Sequence, residues 1–508
     1  KIHDPSNLET QSQSGRPVVG PWSLLVMATP SIPTATAVSA FQLWPDALHL
    51  GLLKHLGGPR RVQGYVWPYA TLCRTCLCAV FQPSLWHSMD FSEGTACNVV
   101  ASDILNLIRR CGQGAVQRLS LRGLEDLDDA AVAALVRLLA GGPLRALDLG
   151  CCPNVSGAAL LALGSIPTLE ELGVECIRGL EDGHMVALCA RCPRLARLDV
   201  RFCEWLTDVS VLLRSPASWA SLQLDGCFRL DVGLLLAEPP GAWQRLEELS
   251  LDGEDLNAEQ LALVAAVCPA LRCLAVSFAR ELEPRALAAV ANLPMLEALT
   301  LKKASKPSDS DWASFFEEQR SVRARESSPA EWRLINVAEC ELFADGAAAA
   351  LAAAPLPELL DLDLSWCWHL SDAGLSSLLT AAPRLQRMKL AGMKRLTANG
   401  LAPCCRLPHL EELDCTSCNS VADVMLEFLH RLFAATPGSG GEALPGTPLP
   451  PRVGRAATGL WQRRSRSAAR LQIKNYYAEY LEDWAQLRPP QEACDLAEAL
   501  LASFGEFG

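Results

Sequence analysis

Aromatic residues are scarce in this sequence: 13 Trp, 13 Phe and 5 Tyr make up 6% of 508 positions. Half of all residues are apolar, and leucine and alanine dominate among them. This composition suits a repeat built from short side chains better than a single globular core. Positive charge is also low, since 45 Lys and Arg stand against 57 Asp and Glu, a formal net charge of −12. That balance argues against a nucleic-acid surface over the body of the protein.

Long apolar runs are missing as well. No stretch of about 18 apolar residues is uninterrupted, so no transmembrane helix is predicted. Residues 22–40 are apolar in places and end in Val-Ser-Ala, which resembles a signal-peptide cleavage site. However, Pro30 and Pro33 interrupt this segment and a polar stretch precedes it. Residues 1–40 are therefore predicted to form a disordered leader.

Catalytic motifs are missing too. None of the 8 His lies in an H-E-x-x-H arrangement. The sequence has no glycine-rich phosphate loop and no G-x-S-x-G motif. It therefore predicts no enzyme, no bound metal and no cofactor.

A strand template, L-x-x-L-x-L with Val, Ile, Met, Cys or Trp tolerated, is present in twelve copies. The copies begin at Val116, Leu144, Leu169, Leu195, Trp219, Leu246, Leu271, Leu296, Trp332, Leu359, Leu385 and Leu410. Successive starts lie 24 to 28 residues apart, except for one interval of 36. This period is typical of leucine-rich repeats. The predicted fold is α/β: a leucine-rich-repeat solenoid over 93–435, with a curved parallel sheet inside and helices outside.

Many of the 21 cysteines have a fixed place in this repeat. The position three residues after the template is occupied by Cys152, Cys203, Cys227, Cys340, Cys367 and Cys418. A small side chain with a weak S–H donor suits the turn beneath the strand. Glu254, Ala279, Ala304 and Met393 take this place in four copies, where we expect local irregularity. Such recurrent thiols favour a reducing compartment.

Two other cysteine groups have zinc-like spacing. These are Cys73-x-x-Cys76-x-Cys78 and Cys189-x-x-Cys192. The first has no matching second pair nearby, and Cys192 is a recurrent repeat position. Structural thiols are therefore the favoured interpretation of both.

A turn and a helix follow the cysteine, as in HLSDAGLSSLL from His369, and Cys-Pro-x-Leu closes the repeat, as in CPRL from Cys192. This combination resembles the cysteine-containing leucine-rich repeats of F-box/leucine-rich-repeat proteins. Residues 41–92 precede the repeats and include L-x-P-D-x-L followed by leucines at helical spacing. They resemble an F-box, the small helical module that docks on the Skp adaptor of a cullin-RING ubiquitin ligase.

The resemblance assigns roles to this N-terminal module. It implies that the adaptor-binding residues are Leu43, Pro45, Leu48, Leu52 and Leu53. It also implies that Pro83, Leu85 and Trp86 close the module against the first repeat. The alternative is a helical cap that shields the end of the solenoid.

On the concave face, side chains between and just after the template leucines point to solvent. The predicted partner-binding residues there are Arg197, Asp199, Arg201, Phe202, Asp225, Asp252, Phe278, Asp363, Trp366 and Lys389. Exposed aromatics with flanking charges are typical anchors of protein interfaces. The alternative for the three rings is packing on the equivalent residue of a neighbouring repeat.

The 36-residue interval between two template copies contains an insertion at about 303–329. We expect it to be a tolerated surface insertion. Residues 309–325 within it can form the outer helix of the repeat. Residues 436–467 are rich in Pro and Gly and are predicted to be a basic linker. The cluster of Lys and Arg around this linker is typical of either a nuclear-localisation or acidic-partner patch or a solvated linker. Residues 468–508 are predicted to form C-terminal helices, the first over 468–486.

The resemblance implies a protein-binding adaptor, the substrate receptor of a Skp–cullin–F-box ubiquitin ligase, whose concave face captures the target. Its partners would be the Skp adaptor, the cullin complex and a protein substrate, with no nucleic acid and no membrane, in the cytoplasm, the nucleus or both. The alternative is a non-catalytic scaffold subunit of a large assembly, such as an axoneme. An extracellular receptor is disfavoured by the cysteine usage.

Overall fold

The computed structural model describes residues 86–92, 100–111, 114–208, 212, 219–231, 233, 243–254, 256–401, 403–404, 407, 409–418 and 421, and the backbone of 472–474. The chain divides into two compact units, 1–169 and 170–508. The predicted leader, the linker, most of the F-box-like module and nearly all of the C-terminal flank lie outside the described residues. Within the described part, no helix combines the length and apolar character needed to cross a membrane.

The described part of the first unit contains three strands in chain order: β1 (Ser88–Asp90), β2 (Arg118–Ser120) and β3 (Ala146–Asp148). Each pairs in parallel with the next. The helices are α1 (Ala101–Cys111), α2 (Asp129–Leu139) and, after a 3-10 turn at Gly157–Ala159, α3 (Leu160–Leu163). Among the described residues, the sheet therefore begins one strand before the first template copy, inside the segment predicted to be the end of the F-box-like module.

The second unit continues the same pattern. Its strands are β4 (Glu171–Gly173), β5 (Arg197–Asp199), β6 (Ser221–Gln223), β7 (Glu248–Asp252), β8 (Cys273–Ser277), β9 (Ala298–Leu301), β10 (Leu334–Asn336), β11 (Asp361–Asp363), β12 (Arg387–Lys389), β13 (Glu412–Asp414) and β14 (Gln472–Lys474). Consecutive strands pair in parallel. Its helices are α4 (Asp182–Arg191), α5 (Ala258–Val267), α6 (Pro284–Ala291), α7 (Asp309–Arg325), α8 (Asp345–Ala352), α9 (Asp372–Ala381) and α10 (Ala398–Leu401).

All twelve template copies form strands, which confirms the predicted α/β leucine-rich-repeat solenoid. The copy at Leu359 shows why the template works. Leu359, Leu362 and Leu364 are at most 2% exposed, whereas Asp361 and Asp363 between them remain partly exposed. Alternation along the strand separates a buried leucine row from a solvent-facing polar row.

The repeat cysteines seal the turns as predicted. Each thiol donates to the backbone carbonyl that ends the preceding repeat's template, over 2.9 to 3.3 Å. The pairs are Cys152–Leu121, Cys203–Val174, Cys227–Val200, Cys340–Leu301, Cys367–Val337 and Cys418–Leu390. Burial raises the pKa of Cys203, Cys227 and Cys340 to about 12. These three thiols are therefore protonated donors at neutral pH, not nucleophiles.

A second set of repeated hydrogen bonds links the start of one helix to the start of the next one. In four repeats the Asp at the start of the helix accepts hydrogen bonds from the Ser or Thr at the equivalent place in the next repeat. Asp345 accepts from the backbone N–H and the hydroxyl of Ser371 at 2.8 and 2.6 Å. Ser371 in turn caps α9 by accepting from the Ala373 N–H. One dipeptide thus caps its own helix and ties it to a neighbour.

The insertion corrects one expectation. Its predicted helix, α7, has the expected bounds, but the segment is not a surface addition. Trp312, Phe315 and Phe316 are buried and lie against Trp332 and Phe343, with ring centroids 4.9 to 6.5 Å apart. The extra residues therefore lengthen the outer helix and enlarge the core.

The C-terminal flank corrects a second expectation. Residues 472–474 form the strand β14, so the helix predicted over 468–486 is wrong at these positions. Gln472-Ile473-Lys474 alternates polar, apolar and polar, and Ile473 lies opposite Leu413. As a strand, the segment forms backbone hydrogen bonds with the edge of β13. A helix at this position would leave the N–H and C=O groups of that edge unpaired.

Candidate protein-binding surface

The sheet has a polar face, which we call the open face, formed by template positions three and five and by the first residue after the template. Over β4 to β7 it carries the acidic patch: Glu171, Glu175, Asp199, Asp225, Glu248 and Asp252, interrupted only by Arg197 and Arg201. Of the predicted residues, Asp363 lies on β11, Trp366 in the turn after β11 and Lys389 on β12. At about 4.8 Å per strand, β11 lies about 19 Å beyond β7, the last strand of the acidic patch. The predicted partner-binding residues therefore do not form one continuous site on the open face.

Arg201 is held by two carboxylates of the acidic patch. Its Nη2 lies 2.9 Å from Glu175 Oε2 and 2.7 Å from Asp199 Oδ2, and its Nε lies 2.9 Å from Asp199 Oδ1. Hydrogen bonding to Asp199 raises the Arg201 pKa further above its usual range. This bidentate pairing makes Arg201 and Asp199 a largely self-neutralised pair.

Arg197 bridges two strands that are not adjacent. Its Nη1 lies 3.0 Å from Glu248 Oε1, and its Nε lies 3.9 Å from Glu171 Oε1. The intervening strand carries only the small, buried Ser221 at the equivalent position. The guanidinium can therefore pass over β6 to reach β7.

Asp225 and Asp252 have no basic partner of this kind among the described residues. Asp225 Oδ2 accepts from Ser277 Oγ at 3.0 Å, and Asp252 Oδ1 accepts from the Glu254 N–H at 2.9 Å. In the described part of the chain, Asp225 Oδ1 and Asp252 Oδ2 are buried without a hydrogen-bond partner. Burial raises the pKa of Asp225, and the nearby Asp252 adds to this effect. These two carboxylates therefore have no direct ion pair among the described residues, although the charges of Arg201 and Lys302 act on Asp225.

At the other end of the open face, two charges are already engaged. Arg387 forms two bonds to Asp361, one of them 2.6 Å from Nη2 to Oδ2. Asp363 accepts the backbone N–H of Ser365 at 3.1 Å, so it also stabilises its turn. Lys389 is exposed and remains available to a partner.

The three predicted aromatics share a backbone feature. Phe202, Phe278 and Trp366 lie two residues after the template, with φ of +57°, +57° and +64°. A Cβ added at Gly226 or Gly392 would come within 2.3 Å of the Phe202 or Trp366 ring, so each ring covers the equivalent glycine of the next repeat. The Lys303 ammonium, again the equivalent residue, lies 4.7 Å from the Phe278 ring centroid.

One side of each ring therefore packs on the neighbouring repeat, as the alternative interpretation predicted. The other side of two rings stays open, because Phe202 is 37% and Trp366 is 40% exposed. A glycine at the equivalent place in the next repeat was the sequence signal for this packing.

Sequence reasoning missed two aromatics beside this region. Trp205 is 56% exposed and Phe228 is 48% exposed. The Arg229 guanidinium lies 5.9 Å from the Trp205 ring centroid. Both rings lie in turns beyond the template, where most copies have polar residues, and that contrast is the signal that could have found them.

The predicted adaptor-binding residues, Leu43, Pro45, Leu48, Leu52 and Leu53, all lie outside the described residues. Of the residues expected to close the N-terminal module, Trp86 is described, and it is 2% exposed.

Comparisons with known proteins agree with the fold. The family model "Leucine Rich repeat" matches residues 357–379. A chain from the crystal structure of the Rad7 and Elc1 complex in yeast superposes with a TM-score of 0.55 at 16% identity, covering 76% of this chain and 92% of that one. An internalin (inlF) of Listeria monocytogenes is 15% identical over 66% of this chain and 88% of its own, with a TM-score of only 0.34. No curated protein sequence gives a significant match.

Proposed function

We propose that this chain is a protein-binding adaptor, and specifically the substrate receptor of a Skp–cullin–F-box ubiquitin ligase acting in the cytoplasm or nucleus. The observation that carries the binding role is the open face of β4 to β7. There, partly buried carboxylates without a cationic partner lie beside exposed aromatic rings. Aromatic anchors within a charged surround are the features that contribute most to protein interfaces.

The ligase role rests on the resemblance of residues 41–92 to an F-box and of the repeats to those that follow F-boxes. A chain of similar fold comes from a two-protein complex, that of Rad7 and Elc1, which supports the idea of a partner-bound solenoid. In this proposal the N-terminal module holds the adaptor and the open face holds the target.

A pull-down with purified Skp adaptor tests the ligase role. We expect the full chain to retain the adaptor, and Leu48→Asp/Leu52→Asp to lower retention roughly tenfold or more, because charges replace apolar anchors at the predicted interface. The matched control is Leu161→Asp/Val186→Asp, which changes residues that are 45% and 51% exposed on helices of the repeats.

No retention of the adaptor by the unmodified chain would sink the ligase role and leave a non-catalytic scaffold subunit. Equal loss in the control pair would show that the effect is a general response to added charge.

A further inference from the structure

The repeat that begins at Leu246 breaks the pattern of its neighbours. Elsewhere the residue two positions after the template is left-handed, as at Phe202, Phe278 and Trp366. Gly253 lacks this conformation and β7 extends to Asp252, although the Gly253 N–H still donates to the Ser277 carbonyl at 2.6 Å, as the Phe202 N–H does to the Asp225 carbonyl.

The next position in this repeat is also irregular. Glu254 stands where other copies bury a cysteine, and its side chain is exposed. In the five other copies without the cysteine, an apolar residue fills the place and is at most 9% exposed: Leu124, Ile177, Ala279, Ala304 and Met393. The turn of this repeat is therefore unfilled, which confirms the irregularity predicted for Glu254.

A pocket of about 270 Å³ lies at this unfilled turn. Its apolar lining includes Leu251, Leu256 and Phe228. Pockets for drug-sized ligands run from about 300 to 1,000 Å³, so this one is small for such a ligand and suits a single long side chain.

The polar lining of the pocket is mainly acidic. It contains Asp231, Asp252 and Glu254 against one cation, Arg229. That guanidinium already lies over the Trp205 ring. Asp252 contributes the buried Oδ2 that has no hydrogen-bond partner in the described part of the chain. A desolvated carboxylate oxygen is costly unless a donor or a positive charge reaches it.

We propose that this pocket binds a lysine or arginine side chain from a basic segment of the partner protein. The apolar lining takes the methylene stem, and the carboxylates take the charged head, the usual division for these side chains. The adjoining Asp225 extends the negative surface along the open face, so neighbouring basic residues of the segment would follow the acidic patch. This inference rests on the proposed protein-binding function and names the chemistry of the partner.

The test uses the purified full chain and the peptide fluoresceinyl-Gly-Ser-Arg-Leu-Arg-Leu-Arg-Ser-Gly-amide, labelled at its N-terminal amine, with fluorescence anisotropy as readout. A peptide with Gln in place of each Arg is the matched ligand control. We expect saturable binding of the arginine peptide, roughly tenfold or more tighter than the glutamine peptide. Binding should weaken as NaCl rises from about 50 to about 300 mM, because salt screens charge attraction.

The protein variant is Asp252→Asn/Glu254→Gln, which removes two charges and keeps the side-chain shape. The Asn oxygen can still accept the N–H of residue 254, so the turn is preserved. We expect roughly tenfold weaker peptide binding. The control variant is Glu317→Gln/Glu326→Gln, which neutralises two exposed carboxylates on and just after α7, and we expect its peptide binding to be unchanged. Circular dichroism checks that each variant is folded.

Equal binding of the two peptides, no effect of the pocket variant, or an equal effect of the control variant would each overturn the inference. Tighter peptide binding after neutral substitution of the arginines between 452 and 470 would also overturn it, because the chain's own basic stretch would then be the occupant. A chain that retains the adaptor but binds no peptide would refute this inference alone. A chain that binds the peptide and retains no adaptor would refute the ligase role alone.

Discussion

Replacing Trp312 by alanine should lower the free energy of unfolding by about 3 to 5 kcal/mol, the usual cost of truncating a buried tryptophan. Trp312 is 0% exposed and lies 5.6 Å from Phe343 and 6.2 Å from Phe315 between ring centroids. Its indole N–H has no hydrogen-bond partner among the described residues, so no bond is lost to offset or enlarge this cost. Urea unfolding followed by circular dichroism measures the difference.

Trp205→Ala is the matched control, since it removes the same side chain where that side chain is 56% exposed. A surface change of this kind should alter stability by no more than about 0.5 kcal/mol. Similar losses in both variants would mean that α7 is not part of the core, contrary to the packing described above.

Gly392→Ala should lower the free energy of unfolding by about 2 to 5 kcal/mol. Two costs combine: a left-handed residue with a side chain costs about 1 to 2 kcal/mol, and overpacking costs about 1 to 3 kcal/mol. Gly392 has a φ of +69°, and an added Cβ would lie 2.3 Å from Trp366 Cε3.

Two controls separate these costs. Gly141 has a φ of +78° with nothing within 4 Å of an added Cβ, so Gly141→Ala carries the backbone cost alone. In Trp366→Ala/Gly392→Ala the ring is gone, and the second substitution should cost no more than it does at Gly141. If Gly392→Ala costs the same with and without the ring, Trp366 does not cover that glycine in solution.

The repeats were predictable because two periodicities coincide in them. The template alternates every second residue along the strand, and the copies recur at a nearly constant interval, so chance apolar runs are excluded. The same regularity made the roles of Cys203 and Cys367 predictable before any contact was known. β1 and β14 lack the template: Ser88-Met89-Asp90 and Gln472-Ile473-Lys474 each hold one apolar residue, too few to distinguish a strand from a helix.

The candidate site was less predictable, because charge pairing across strands depends on side-chain reach. Arg197 and Arg201 look alike in the sequence, but one spans two strands and the other is held by adjacent carboxylates. The pocket lies where Glu254 replaces the residue that fills the turn in other repeats, and this replacement was visible in the sequence. Its size and acidic lining required the fold, since Phe228 and Asp252 come from successive repeats.

Hydrogen–deuterium exchange of the full chain, alone and with saturating Skp adaptor, tests most directly whether the N-terminal module and the open face have separate tasks. The proposal predicts slower exchange in peptides from residues 41–92 and unchanged exchange in peptides from β4 to β13. The open face would then remain free for a target while the adaptor is bound. No slowing within 41–92, or slowing confined to β4 to β13, would contradict it.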